Sequence, residues 1–313
     1  MQYRSSGIIL RNFNLGEADR ILKILTPENG LVTAIAKGAR RVNSSFSAKT
    51  QVMNYCDFLL GKGKNFDIVS EVSIIEAFHL SSIDLLGLHL AFLASEICEK
   101  VSEEGDGSEN IFELLSIYLK YLNKLNAGKK NEEKQIHQML LLSVEFLWCI
   151  ICTLGYKPDL EYCALTNKRR SAGQIPLYFD LSNGSICSTE GYQLYRAGYH
   201  TDDYVIPLRK FSFKLLNALD SSPLSSIDTD FQLSLSGEST KNLREALIED
   251  FLVNYLKVLV SEFKENEKVE NAEIGVCEQS SLELKSCLQL LYKHLEFRIH
   301  KECKSWKTLE EVF

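Results

Sequence analysis

Apolar and polar residues alternate with a period of two through roughly the first eighty positions, and the pattern then changes to a helical period. Gly7-Ile8-Ile9-Leu10-Arg11, Arg20-Ile21-Leu22-Lys23-Ile24-Leu25-Thr26 and Leu31-Val32-Thr33-Ala34-Ile35-Ala36-Lys37 read as three strands. Pro27-Glu28-Asn29-Gly30 joins the second and third as a tight hairpin, because proline pre-sets φ at a turn's second position and Asn-Gly accepts the positive φ such a turn needs. Val52 to Leu60 and Phe66 to Phe78 add two more strands around Gly61-Lys62-Gly63-Lys64. Five strands with some long connections predict a small closed barrel of the OB type.

Beyond the barrel the pattern predicts helices over Ser82–Glu103, Asn110–Asn126, Glu132–Leu154, Pro207–Leu219, Lys241–Lys264 and Leu282–Cys303. Ser81 or Ser82 can cap the first, and Pro207 suits a first helical turn. Gly105-Asp106-Gly107-Ser108 and Asn126-Ala127-Gly128-Lys129-Lys130-Asn131 read as turns between helices. Glu265 to Ser281 is charged and poorly periodic and reads as a loop, and Leu194 to Tyr204 gives no clear pattern. The chain shows no internal repeat. The expected class is α+β: an OB-fold β-barrel over residues 1–80, followed by a mainly α-helical domain over 81–313.

The apolar stretch Met139 to Cys152 raises a membrane question. Its densest part is shorter than the roughly 20 residues a bilayer requires, and Glu145 interrupts it. It reads as a central core helix, with no membrane partner.

Charge divides the chain unevenly. Residues 1–78 hold ten Lys and Arg against seven Asp and Glu, a balance of +3 in a protein whose net charge is −7, which leaves −10 for the remainder. A basic module on an acidic body suits a polyanion. The connection Gly38-Ala39-Arg40-Arg41-Val42-Asn43-Ser44-Ser45-Phe46-Ser47-Ala48-Lys49 holds three cations, an aromatic and no acid, and Lys37, Lys62 and Lys64 extend the same sign. Single strands are held by cations along the backbone and by bases stacked on aromatics, the latter worth about 1–3 kcal/mol per base. Lys37, Arg40, Arg41, Lys49, Lys62 and Lys64 are therefore assigned to phosphates, with Phe46 and Phe66 as stacking candidates. Arg11 and Arg20 are further candidates, Arg20 equally as a structural ion-pair partner. The plainer reading of the same composition is a solvated, mobile loop with no ligand.

Other chemistry is sparse. The chain has no Gly-x-x-x-x-Gly-Lys-Ser/Thr loop, no Gly-x-Ser-x-Gly elbow and no His-Glu-x-x-His pair, and its six histidines are scattered singly. Glu17 and Asp19 flank a tight connection, where capping or pairing with Arg20 explains them better than acid/base work. No enzymatic activity is expected, and any action is stoichiometric and independent of ATP. Cys149 and Cys152 form the only literal Cys-x-x-Cys, inside the apolar helix, where buried thiols act as small hydrophobes. Nine cysteines, an odd number, with no signal peptide, point to a reducing cytoplasm.

Three separated segments carry a family resemblance. Gly16-Glu17-Ala18-Asp19-Arg20, Thr26-Pro27-Glu28-Asn29-Gly30-Leu31 and Ala36-Lys37-Gly38-Ala39-Arg40-Arg41 resemble, in order and spacing, the amino-terminal domain of the bacterial recombination mediator family RecO. Leu154-Gly155-Tyr156-Lys157-Pro158-Asp159-Leu160-Glu161-Tyr162-Cys163 is similar to the segment leading into that family's zinc site, and Tyr292 to Ser305 resembles its last helix more loosely. The resemblance implies an OB domain followed by helices. It also implies binding of single- and double-stranded DNA, annealing of complementary strands, and work with RecR and the acidic C-terminal tail of single-strand-binding protein to load RecA in the cytoplasm, at the nucleoid. RecA is reached indirectly, through the RecF pathway.

In that family two Cys-x-x-Cys pairs usually hold zinc. Here Cys163 is followed by Thr166 and Cys187 by Glu190, with Phe179 to Ile186 keeping the look of the intervening hairpin. Two thiols with a neutral hydroxyl and a hard carboxylate do not replace four thiolates. The expectation is a degenerate zinc-ribbon-like insertion over 158–192, with no metal and no cofactor. An eroded site leaves open an adaptor whose barrel no longer binds nucleic acid and serves as a docking surface; a metalloenzyme is the weakest reading.

Overall fold

The computed structural model describes residues 1–78, 84–127, 132–171, 173–198, 204–220 and 273–313. The expected helix Lys241–Lys264, the capping serines Ser81 and Ser82, and most of the Asn126–Asn131 turn lie outside the described residues. The chain divides into two compact units, Met1–Lys129 with Lys301–Phe313, and Lys130–His300.

The first unit is built on β1 (Gln2–Leu15), β2 (Asp19–Thr26), β3 (Gly30–Ala36), β4 (Tyr55–Gly61) and β5 (Asp67–Glu76), closed in the order β1-β2-β3-β5-β4. The OB-type barrel read from the pattern is thus observed. β1 is much longer than its alternation suggests. Its polar start, Gln2 to Ser6, pairs with β4, and its second half pairs with β2, with Leu10 as the extra residue of a bulge between Ile9 and Arg11. Ile8, Ile9 and Leu10 are all buried there. Gly7 lies where β1 crosses β2 closely, since a Cβ at this position would sit 2.5 Å from Ile24 Cγ2 and 2.9 Å from the Leu25 carbonyl. β4 starts three residues later than read, because Met53 takes a φ of 66° in the turn before it. The barrel core is Ile9, Leu22, Ile24, Val32, Ala34, Ala36, Cys56, Phe58, Leu60, Val69 and Val72.

Helix α1 (Leu85–Val101) begins at Asp84, whose carboxylate accepts the Gly87 N–H at 2.6 Å, and α2 (Glu109–Ala127) follows. The β2–β3 hairpin docks on the turn between these helices: Leu31 N donates to Glu103 O, Gly105 N to Asn29 O and Ser108 N to Pro27 O, at 3.0, 3.1 and 3.0 Å. Gly30, at φ 60°, is obligatory, because a Cβ would fall 2.1 Å from Asp106 O and 2.3 Å from Glu103 O.

In the second unit, α3 (Glu132–Thr153) is long and apolar enough to cross a bilayer, and its residues from Met139 to Ile151 are buried inside the fold. A three-stranded sheet follows, with β6 (Tyr178–Asp180) between β7 (Ser185–Cys187) and β8 (Val205–Pro207). Helix α4 is Thr189–Ala197, α5 is Lys210–Asp220 and α6 is Glu273–Ile299. Pro207 therefore ends a strand and does not start a helix. Opposite Tyr178 at the sheet edge, its missing N–H leaves no ladder bond unmade. Residues 273–281 are helical where a loop was read: α6 extends back through them because adding a residue to an established helix is easier than starting one, and no proline intervenes.

At its other end α6 stops at Ile299, short of Cys303, as His300 turns to φ 52°. A short helix missed by the sequence reading, α7 (Lys304–Val312), then packs on α1 within the first unit. No side chain on α7 caps its start. The buried Glu96 carboxylate of α1 does so instead, accepting Lys304 N at 3.0 Å, Ser305 N at 2.8 Å and Ser305 Oγ at 2.7 Å.

Candidate nucleic-acid interface

The β3–β4 connection is a folded plug across one end of the barrel and not a free loop. Asp19 accepts Gly38 N at 2.7 Å, Arg40 N donates to Ala18 O at 2.8 Å, and Arg20 Nη1 reaches Ser47 O and Thr50 Oγ1 at 3.0 Å each. Asp19 is thus a capping residue and Arg20 a partly buried structural donor. Its partners are neutral, so it is not the ion-pair member that was one of its two readings.

This anchoring sorts the candidate residues. Lys37, Arg40, Arg41 and Lys64 are exposed. Arg40 Nη1 donates to the Gly16 carbonyl at 2.7 Å, which holds its guanidinium at the β1–β2 turn. Lys62 is exposed, 3.8 Å from Asp67 and 5.7 Å from the Tyr3 ring centroid. Lys49 points back to the barrel, donating to Val72 O at 2.9 Å, and Phe46 packs half-buried on the barrel core. Arg11 pairs with Glu99 at 3.3 Å and lies 5.1 Å from the Phe13 ring centroid. Phe66 remains exposed at the β4–β5 turn.

Register brings together residues the sequence reading did not single out. Phe13 stands opposite Ile21, Ile21 opposite Ile35, and Ile35 beside Ile68. Their neighbours Leu22 and Ala34 point inward and are fully buried, so these four form one outward row across four strands, with Phe13 42% and Ile68 38% exposed. Arg11, Lys23 and Thr33 form the next outward row. The sequence could not show this, because Arg-Ile-Leu-Lys-Ile-Leu-Thr is apolar on both faces of β2 and does not say which isoleucine is inside.

Among the described residues, the thiols of the helical unit do not assemble a zinc site. Cys163 Sγ accepts Ser188 N at 3.2 Å and Ser188 Oγ at 3.4 Å, while the Cys187 thiol donates to Ser188 O at 3.4 Å. Burial raises the Cys163 thiol, but donors from Ser188 and the turn at Thr166 outweigh it and bring it down to about 6. Cys187, buried beside it, is pushed up to about 12. Glu190, where a fourth ligand would stand, is held by Lys168 Nζ at 2.9 and 3.1 Å. Gly191 packs so closely that a Cβ would lie 2.9 Å from one sulfur and 3.2 Å from the other. Among the described residues no three His, Cys, Asp or Glu side chains converge as metal ligands. Cys152, in α3 with Cys149, is pushed up to about 12 by burial, the opposite of an activated redox thiol.

A five-stranded barrel closed in this order and continued by helices defines an OB-fold protein of the α+β class. Family models described as recombination protein O N terminal and recombination protein O C terminal match residues 1–78 and 83–257. The chain belongs to the RecO family of DNA repair and recombination proteins. A DNA repair protein RecO from Roseiflexus sp. (strain RS-1) is 28% identical over 256 residues, 82% of this chain and 81% of the relative. Relatives of the same name from Acetivibrio thermocellus, 32% identical over 186 residues (59% and 69%), and Gloeobacter violaceus, 28% over 200 residues (64% and 72%), are also similar.

Proposed function

We propose that the barrel, as the nucleic-acid-binding domain, binds single- and double-stranded DNA and anneals complementary strands. In this reading the helical body engages RecR and the acidic tail of single-strand-binding protein, so that RecA can be loaded on the exposed strand in the cytoplasm. The observation that carries the proposal is the placement of Lys37, Arg40, Arg41, Lys62 and Lys64, all exposed, at the turns that border one outward face of the barrel. Bringing two polyanions together requires screening both backbones, and cations fixed at turns can hold one strand by its phosphates at no catalytic step and without ATP. Family membership supports the repair role, and the acidic body is suited to protein contacts more than to DNA.

The test is annealing of complementary oligonucleotides coated with single-strand-binding protein, with and without RecR. The wild-type protein accelerates annealing, and a double charge reversal at Arg40 and Arg41 abolishes the acceleration. Acceleration unaffected by the reversal sinks the assignment of these residues. No DNA binding at low salt by the wild type, with RecR binding retained, makes the chain an adaptor.

A further inference from the structure

We propose that the outward row Phe13, Ile21, Ile35 and Ile68 is the surface on which the bases of a single strand lie, and that its isoleucine centre sets a deliberately weak, sequence-tolerant hold. This rests on the DNA-binding reading of the barrel. Four strands about 4.8 Å apart make the row roughly 14 Å long, room for a few bases. Scattered exposed apolar residues are ordinary, but this is a contiguous row across four strands. Lys23 stands in the bordering row between Arg11 and Thr33, which hold Glu99 and Glu104, and further positive charge comes from Lys37, just past the end of β3, and from Arg40, Lys62 and Lys64 at the turns, so the apolar floor has a mainly cationic rim.

Charge complementarity makes the occupant a polyanion, and the apolar floor selects one with unpaired bases. A duplex keeps its bases inside the helix and can offer this face only phosphates, so the row adds nothing to duplex binding. The aromatics, Phe13 and Phe66, stand only at the margins. The central residues have no π face and give a base apolar contact without stacking. A strand held this way is released to its complement more readily than one stacked on an aromatic floor.

The experiment compares an oligothymidylate with a hairpin duplex by fluorescence anisotropy at fixed salt, for the full-length wild type, Phe13→Ala and Ile68→Phe, each checked for an unchanged melting temperature. Ile68→Phe adds a stacking ring at an exposed position. It tightens single-strand binding by roughly fivefold or more and slows annealing at saturating protein. Phe13→Ala weakens single-strand binding by a similar factor, and neither variant changes duplex binding by more than about twofold. Parallel changes for both DNAs, or no change for either, overturn the row while leaving the DNA-binding reading intact. Wild-type protein that binds neither DNA refutes that reading and the row with it. If Ile68→Phe does not fold, Ile35→Phe serves as the same test on the adjacent strand.

Discussion

Reversing Arg41 tests the cationic rim at the least structural cost. Its side chain is exposed and lies over Gly38, and the bond that positions the residue is made by its backbone N–H to Gly38 O at 3.1 Å. Arg40 differs, because its guanidinium also ties down the Gly16 carbonyl. Each phosphate neutralised on a single strand contributes about −0.7 to the slope of log affinity against log salt, so the five exposed cations predict about −3.5. Arg41→Glu should reduce this to about −2.8, and reversal of both arginines to about −2.1. Between about 50 and 200 mM salt the wild type then loses a factor of about 100 in affinity, and the double variant about 20. Fluorescence anisotropy of a labelled oligothymidylate measures both. Lys49→Gln is the internal control, since its ammonium is committed to Val72 O: stability falls by about 1 kcal/mol and the slope stays at that of the wild type. The reasoning fails if the double reversal keeps the wild-type slope, or if folded Lys49→Gln loses as much slope as Arg41→Glu.

Four further outcomes follow from packing and charge. Glu96→Gln should detach the start of α7 from α1, lowering stability by about 1.5–3 kcal/mol in urea unfolding at neutral pH. Burial raises the Glu96 carboxyl, but donors from Ser305 and Lys304 and nearby Lys100 outweigh it and hold it below its usual range. Its contribution is therefore present above the unfolded carboxylate pKa and is lost as pH falls through the lower folded value. Glu145, buried in α3 with neither oxygen hydrogen-bonded, is pushed up to about 8, so it stays protonated in the folded protein while the unfolded chain ionises. Stability should fall as pH rises from about 4.5 to 8, by on the order of 3 kcal/mol at pH 7, and Glu145→Gln should flatten that slope. Gly30→Ala should cost about 2–4 kcal/mol and show as a lower urea midpoint, because the added methyl strikes two carbonyls of the α1–α2 turn. Prolonged chelation with EDTA should leave the melting temperature unchanged; a drop would show that the hairpin at Cys163 and Cys187 needs a metal after all.

Much of the barrel was legible because its signals are local. The Pro27–Gly30 turn and the alternation of β2 and β3 each specify their own conformation, and the basic connection announces itself by composition. The length of β1 was not legible, since Gln2 to Ser6 has no apolar alternation and is a strand only because β4 supplies its ladder. The β8 and α7 segments were missed for the same reason: three residues around Pro207 and nine around Trp306 carry too little pattern, and each is held by a partner distant in sequence, Tyr178 in one case and Glu96 in the other. Among the site residues, sign of charge could be read but direction could not, so Lys49 and Phe46 looked like Arg41 and Phe66 until the plug's bonds to the barrel separated them.

The sequence by itself determined the class of fold, a barrel followed by helices, and the location of positive charge, because hydrophobic period, turn chemistry and charge are properties of neighbouring residues. It also determined that two of the four thiols of the family's pairs are absent, replaced by Thr166 and Glu190, since a missing thiol is missing in any conformation. Only the tertiary structure decided which isoleucines of β2 and β3 face outward, which cations are spent on carbonyls, and that Glu96 caps a helix more than 200 residues away in the chain. Register and closure set those facts: a one-residue shift in strand pairing exchanges inside for outside, and no local pattern in a strand apolar on both faces can fix it.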